Sequence, residues 1–223
     1  MKLKFIVFIL LSICFSANLY SQNVNWETLK PEQKHLININ IGWDYGIVFG
    51  AGYSYQLKTK MPVMLHASQT FPAGKNITDD FKTKIGAQIQ LYQVNKLHFS
   101  TDIQGVYRRF QNPLVSLSNF GSDVSLTAGY YKAKYFIGGE VGFDKAIVTH
   151  FKHTSVYKDV YPGVRDGWYE PATGGNFHYG FKSGFTVMKN DFTVNFGKVI
   201  TQDFKTTPLI PFYAELGYTM KFK

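Results

Sequence analysis

Few residues of this chain are of a type that could catalyse hydrolysis. His66 and Ser68 stand two positions apart, a spacing that puts both side chains on one face of a β-strand. The histidine could then act as a base towards the hydroxyl, but such a base must itself be oriented by an acid, and the sequence identifies none. Asp79 and Asp80 are adjacent and do not form an acid pair in extended chain. We therefore expect the protein not to be an enzyme.

Metal binding is the second chemistry that the residue types allow. His150 and His153 have a plausible ligand spacing for a turn, and Asp159, Asp166 and Glu170 follow in the same polar segment. Exposed histidines in such segments are more often solvated than bound to a metal. No Cys/His framework supports a structural metal site. We expect no metal and no cofactor.

The elements that would position these side chains are β-strands, because apolar residues alternate with small, polar or charged ones through most of the chain. The connections between the alternating segments are short and long in turn, as in transmembrane barrels. The weakest segments are 63–70 and 192–199, so eight strands is the alternative to a count of ten. The ten predicted strands are 36–43, 47–57, 63–70, 84–93, 97–108, 123–132, 135–146, 176–187, 192–199 and 212–222.

The two faces of these strands indicate which side is inside. One face carries the large aromatic residues Trp43, Tyr53, Phe99, Phe143, Phe181, Phe185, Phe196 and Phe212. The other face is rich in glycine, which makes room for long side chains in a narrow barrel and eases its curvature. The pattern predicts an all-β, transmembrane, antiparallel up-and-down β-barrel with lipid outside and a polar lumen. The alternative is a soluble sandwich or lipocalin-like barrel, whose apolar face would point inward.

The predicted lumen contains charges of both signs. Charges held out of bulk water must be paired and hydrogen-bonded, or they become very costly. We therefore predict a polar network that closes the lumen, and the alternative is a narrow water-filled path for small solutes. The candidate members of this network are Asp102, Arg108, Glu140, Asp144, Lys182 and Glu215.

The N-terminus has the features of a secretory signal peptide. Lys2 and Lys4 precede the apolar run 5–11, which is followed by small and polar residues, and this run is too short to anchor the chain in a bilayer. We predict cleavage after residue 21, a periplasmic segment at 22–34 and the barrel at 35–223. The single cysteine, Cys14, lies within the signal, so the mature chain has no disulfide.

The mature chain keeps 22 of the 24 basic residues and all 15 acidic ones, for a net charge of 22 − 15 = +7. For a barrel, the expected partners of this charge are phosphorylated lipids and lipopolysaccharide at the membrane surface. Nucleic acid is not expected, because the sequence has no recognition motif and no clustered basic helix.

The processing region Leu19-Tyr20-Ser21-Gln22, the alternating strands and the ending 217–223 resemble small outer-membrane β-barrel proteins of the Bacteroidota type, in the class of OmpA- and OmpX-like barrels. The resemblance implies signal-directed export and assembly in the bacterial outer membrane. One departure is Phe222, which is penultimate where such barrels often end on the aromatic residue itself. Many functions share this pattern, so the resemblance does not imply an activity.

The long connection predicted at 147–174 is the best functional candidate, because recognition usually resides in surface loops on a rigid barrel. Its mixture of aromatic and basic residues suits a glycan or a protein partner. The alternative is that the strands extend past the membrane and these aromatics form a cap or interface girdle. We expect a structural or surface-binding barrel; a narrow solute channel and then a lipid- or peptide-cleaving enzyme are the alternatives. The candidate binding residues are Tyr157, Tyr161, Arg165, Trp168 and Tyr169.

Overall fold

The computed structural model describes residues 24–44, 46–74, 77–171 and 174–223. The predicted signal peptide and its cleavage site lie outside the described residues. Besides the barrel strands, the chain has a short strand, β8 (Gly167–Tyr169), and a helix, α1 (Ser155–Val160). The barrel strands are β1 (His35–Trp43), β2 (Ile47–Leu57), β3 (Val63–Pro72), β4 (Asp80–Val94), β5 (Leu97–Gln111), β6 (Val115–Tyr131), β7 (Tyr135–His153), β9 (Gly175–Val187), β10 (Asn190–Thr201) and β11 (Phe212–Phe222).

These ten strands form one closed antiparallel barrel. Each strand pairs with the next along the chain, and β7 pairs with β9 because β8 lies outside the wall. The seam joins the first and last strands, from His35 opposite Phe222 to Trp43 opposite Ala214. The predicted all-β barrel of ten strands is confirmed, and the count of eight is wrong. No helix in the described ranges is long and apolar enough to cross a membrane.

The two ends of the barrel differ in their connections. Turns 58–62, 95–96, 132–134 and 188–189 lie at one end, together with the chain termini, and we call it the short-turn end. The opposite end, which carries the 154–174 connection, is the loop end. Two predicted loops are wrong in extent: residues 109–121 are strand except for 112–114, and residues 147–153 belong to β7.

The tight turn at 112–114 has a local cause. The side chain of Asn112 accepts hydrogen bonds from the backbone N–H groups of Leu114 (2.9 Å) and Val115 (2.8 Å). An asparagine that satisfies two backbone donors reverses the chain in few residues. Strands β5 and β6 can therefore continue to the turn from both sides.

The outside of the barrel is an apolar belt bordered by aromatic rings. On strand centres the exposed side chains are aliphatic, as in Ile85 (64% exposed) and Val141 (57% exposed). Towards the loop end the rings follow one another around the wall, with centroids 4.9–6.4 Å apart, through Phe49, Phe71, Phe81, Tyr107, Phe120 and Trp168. Towards the short-turn end, Phe185, Phe192 and Tyr218 are in ring contact. An apolar belt between two aromatic girdles is the surface of an outer-membrane barrel.

Glycine on the inner face makes room for large side chains. The ring of Tyr213 lies over Gly180 and Gly197, and a Cβ added to either glycine would come within 2.6 Å of it. Gly184 is covered in the same way by Phe136. The wall is therefore thin at the points where bulky lumen side chains reach across it.

Candidate functional site

The short-turn end of the lumen is filled by residues 24–29, which we call the plug. The plug contains a 3-10 turn, Trp26–Thr28, that begins where the Asn25 side chain accepts from the N–H of Glu27. Its apolar side chains join a buried cluster that reaches β1, β3, β6 and β7. The cluster consists of Val24, Trp26, Leu36, Met64, Tyr131 and Phe136.

Polar contacts fix the plug to the strands on the other side of the barrel. The backbone N–H of Asn25 donates to Asp191 (3.1 Å), and its amide nitrogen donates to the Lys132 carbonyl (2.7 Å) and to Thr186 (2.9 Å). Lys221 binds Asp191 (2.7 Å) and donates to Thr28 in the plug (2.6 Å). The plug thus contacts strands around the whole circumference. The sequence prediction of a polar lead-in missed this role, although Val24 and Trp26 were apolar signals within it.

The middle of the lumen is filled by separate polar pairs. Lys182 forms an ion pair with Glu140, which also accepts from Ser125 and Thr127. Glu215 accepts from Asn40 (2.7 Å). These groups are less than 10% exposed, so side chains occupy the centre of the barrel.

His66 does have the acid that the sequence did not reveal. Its Nε2 atom lies 2.8 Å from Oδ1 of Asp102, and both side chains are 3% exposed. Asp102 is on β5, with β4 between it and the strand of His66, so the contact crosses the lumen. Neither residue lines the outward cavity, and the pair therefore sits beneath it.

Above these pairs, a cavity of about 710 Å³ lies towards the loop end. Asp123 is the centre of its polar floor, paired with Lys84 (2.6 Å) and His178 (3.2 Å) and accepting from Gln104 (3.4 Å). The wall nearer the loops is apolar. It includes Val106, Phe110, Leu117, Phe151, Val199, Leu209 and Ile210.

The rim of this cavity carries further pairs. Arg108 makes two hydrogen bonds to Asp80 (2.9 and 2.6 Å), and Asp144 accepts from Asn176 (3.3 Å). Both Arg108 and Asp144 line the cavity, as do Glu140 and Lys182 deeper down. Of the six predicted lumen residues, four therefore surround one cavity, while Asp102 and Glu215 belong to the layer of pairs beneath it.

The 154–174 connection is a folded hairpin held together by Asp166. This carboxylate accepts from the backbone N–H of His153 (2.9 Å), binds Lys158 (2.6 Å) and contacts the His153 ring (2.9 Å). The backbone donor, followed by Lys158 and the histidine ring, holds the pKa of Asp166 well below its usual range. The contacts tie α1 to the end of β7.

Four of the five predicted binding residues lie in this hairpin. Tyr157 stacks between His153 and Tyr161, with centroids 5.1 and 5.0 Å away. Arg165 and Tyr169 line a second cavity of about 400 Å³, beneath which Phe151 packs. Thr149 and Phe151 line both cavities, so the two adjoin.

Trp168 does not share this surface. Its ring contacts His150 (4.8 Å) and Phe120 (6.0 Å) on the outside of the wall. Trp168 thus belongs to the aromatic girdle, and the strand extension weighed as the alternative for this region is what the structure shows. In the described part of the chain, no three His, Cys, Asp or Glu side chains are arranged to hold a metal ion.

Two solved structures resemble this chain. The outer-membrane protease OmpT of Escherichia coli is 10% identical, with a TM-score of 0.48, and the match covers 88% of this chain and 99% of that one. A mutant porin of Rh. blastica is 7% identical, with a TM-score of 0.21, and the match covers 85% and 99%. No protein-family model and no curated protein matches. The likeness concerns the barrel fold and does not extend to the finer OmpA- and OmpX-like class.

One expectation is corrected by this comparison. The sequence led us to expect that the protein is not an enzyme, whereas one of the two structures with this fold is a protease. A barrel of this kind can thus house catalysis, and the expectation of a non-enzyme does not stand. At 10% identity no catalytic residue is carried over from that protease to this chain.

Proposed function

We propose that this protein is a ligand-binding barrel of the bacterial outer membrane, exported by its signal peptide and oriented with the short-turn end in the periplasm. Three features support the placement: the exposed aliphatic belt, the aromatic girdles at both borders and the short turns at one end. In this orientation the hairpin and the cavity face the cell exterior.

The observation that carries the binding role is that the cavity is open towards the loops and blocked beneath. The plug and the central pairs fill the lumen below Asp123, so a solute that enters from outside meets a floor. A concave site with an apolar wall and a few convergent polar groups is the usual form of a ligand site. The geometry therefore supports retention of a ligand better than its passage.

The ligand class follows from the hairpin groove. Phe151, Tyr169 and Pro171 give it an apolar lining, which suits the flat C–H face of a sugar ring. Arg165 is exposed at its edge and, among the described residues, forms no ion pair. A free guanidinium favours a carboxylate or phosphate with two-point geometry. We propose an acidic glycan as the occupant.

The test uses refolded protein and two oligosaccharides of equal length, one of uronic acids and one neutral. We expect the wild type to bind the acidic chain more tightly, and Arg165→Gln with Tyr169→Ala to lose that binding. Tyr92→Ala is the control, because Tyr92 lies on the outer wall at the short-turn end. Equal affinity for both sugars, or binding that is unchanged in the double variant, would contradict the proposal.

Membrane placement is tested separately. The mature protein should fractionate with the outer membrane and migrate faster on a gel when it is left unheated than when it is boiled. Equal mobility in both states, with the protein in the soluble fraction, would overturn the placement itself rather than the choice of ligand.

A further inference from the structure

The charges of the mature chain are divided unevenly between the two ends of the barrel. The short-turn end has ten basic residues and three acidic ones, a difference of +7. This equals the net charge of the whole mature chain, so the remainder has 12 basic and 12 acidic residues and no net charge. The basic residues are Lys30, Lys34, Lys58, Lys60, Lys96, Lys132, Lys134, Lys189, Lys221 and Lys223, and the acidic ones are Glu27, Glu32 and Asp191.

Most of these lysines are available to an external anion. Lys221 is buried against Asp191, and Lys96 binds Glu27 at 2.8 Å. Across the described ranges, the other eight form no ion pair, and all of them except the half-buried Lys34 are exposed. Since each short turn and both chain termini contribute at least one lysine, the positive charge surrounds the end of the barrel.

The lysines follow directly on side chains of the outer wall. The ammonium of Lys132 lies 5.5 Å from the ring centre of Tyr130 and 5.6 Å from that of Tyr135. Lys58 follows Leu57 on the outer face, and Lys189 follows Met188, which is 91% exposed. In a bilayer, aromatic residues at the border of the apolar belt sit at headgroup level. Lysine stems can extend along such apolar surface and place their charges among the headgroups.

We infer that the short-turn end is a binding surface for anionic phospholipid headgroups of the leaflet that it faces. The inference rests on the membrane placement proposed above. Compact ammonium charges on flexible stems suit mobile headgroup phosphates, and each lysine near an anionic surface adds to the attraction. The neutral loop end has no corresponding excess charge. A ring around the circumference, rather than a groove across the end, favours lipid over an acidic periplasmic polymer.

The experiment measures lipid selectivity in vesicles of mixed phosphatidylcholine and phosphatidylglycerol, with a spin label on one lipid or the other. The rim variant replaces Lys58, Lys60 and Lys134 with Gln. The matched control replaces Lys152, Lys198 and Lys205, which lie in the loop-end half and are also exposed. Both variants lose three positive charges, so they differ only in where the charge is removed.

We expect the wild type to immobilise the anionic lipid at least about twofold more than the neutral one. The preference should fall in about 0.5 M salt, which shortens the range of charge attraction to a few ångströms. The rim variant should lose most of the preference, and the control should keep it. Equal selectivity in the two variants would overturn the inference.

Two other outcomes are separable. A wild type that shows no lipid preference but sediments with purified peptidoglycan, with the rim variant failing to do so, would assign the surface to a cell-wall polymer instead. A protein that immobilises neither lipid and shows no heat-dependent mobility has not entered the bilayer. That result would overturn the membrane placement together with the lipid surface.

Discussion

At the residue scale, the lumen is organised by ionic pairs whose partners lie far apart in sequence. The sequence predicted which charges face inward, because alternation assigns each residue to a face. It did not predict who pairs with whom, since His66 and Asp102 are separated by 36 residues and meet across the lumen. Such contacts depend on strand register and barrel diameter, and neither can be read from one strand.

The buried Lys84–Asp123 pair gives the first prediction. Asp123→Asn leaves the Lys84 ammonium in the lumen without its counter-ion at 2.6 Å. Breaking a buried pair by removing one partner costs about 3–5 kcal/mol. We therefore expect the free energy of unfolding to fall by about 3 kcal/mol, measured by urea titration of the fast-migrating band.

The control is Lys96→Gln, which breaks the Lys96–Glu27 pair at the exposed end of the barrel. A solvated pair contributes about 0–1 kcal/mol, so this variant should unfold near the wild-type urea concentration. If the two substitutions had equal effects, the lumen would be too well hydrated for burial to matter.

At the element scale, strand prediction succeeded where the alternation is regular and failed where it is interrupted. Segment 47–57 was predicted with the bounds that the structure shows. Segment 109–121 was predicted as a loop because a bulge between Phe120 and Gly121 shifts the register there. A bulge adds one residue to one strand and reverses the alternation beyond it, so the sequence pattern appears to end although the strand continues. The plug was missed because two apolar residues carry no periodic signal.

The plug segment gives the second prediction. Asn25→Ala removes the amide that donates to Lys132 and Thr186, and buried partners left unsatisfied cost about 1–3 kcal/mol. We expect the plug to open more often while the barrel remains folded. In a variant whose one tryptophan is Trp26, acrylamide should quench the fluorescence more strongly after this substitution. Lys30→Gln, at an exposed position beside the plug, should leave quenching unchanged.

The hairpin at 154–174 gives the third prediction, which concerns pH. Because the pKa of Asp166 is lowered in the folded hairpin, its stabilisation is complete above the unfolded value of about 3.9. That stabilisation is lost as the pH falls through the lowered folded pKa. Amide exchange at His153 should therefore accelerate at strongly acidic pH and be steady near neutrality. Asp166→Asn should make exchange faster at neutral pH and remove the acid dependence; an unchanged acid dependence in that variant would assign it to another group.

At the scale of the whole molecule, the lumen is blocked at two levels that differ in chemistry. The plug closes the short-turn end with an apolar cluster held by hydrogen bonds. The central layer closes the barrel with ionic and polar pairs, including Glu140–Lys182. The first block belongs to a segment outside the wall, and the second is built from the wall itself. The two blocks can therefore be removed independently.

The last prediction concerns conduction through this doubly blocked lumen. The intact protein should give no steady current steps in a planar bilayer. Deleting residues 22–34 should add little, because the central side chains still fill the lumen. Combining the deletion with Glu140→Ser and Lys182→Ser removes both partners of the central ion pair, so no buried charge is left unmatched, and this variant should conduct. If the deletion alone gave large steady steps, the central pairs would not block the lumen and the channel alternative would replace the blind cavity.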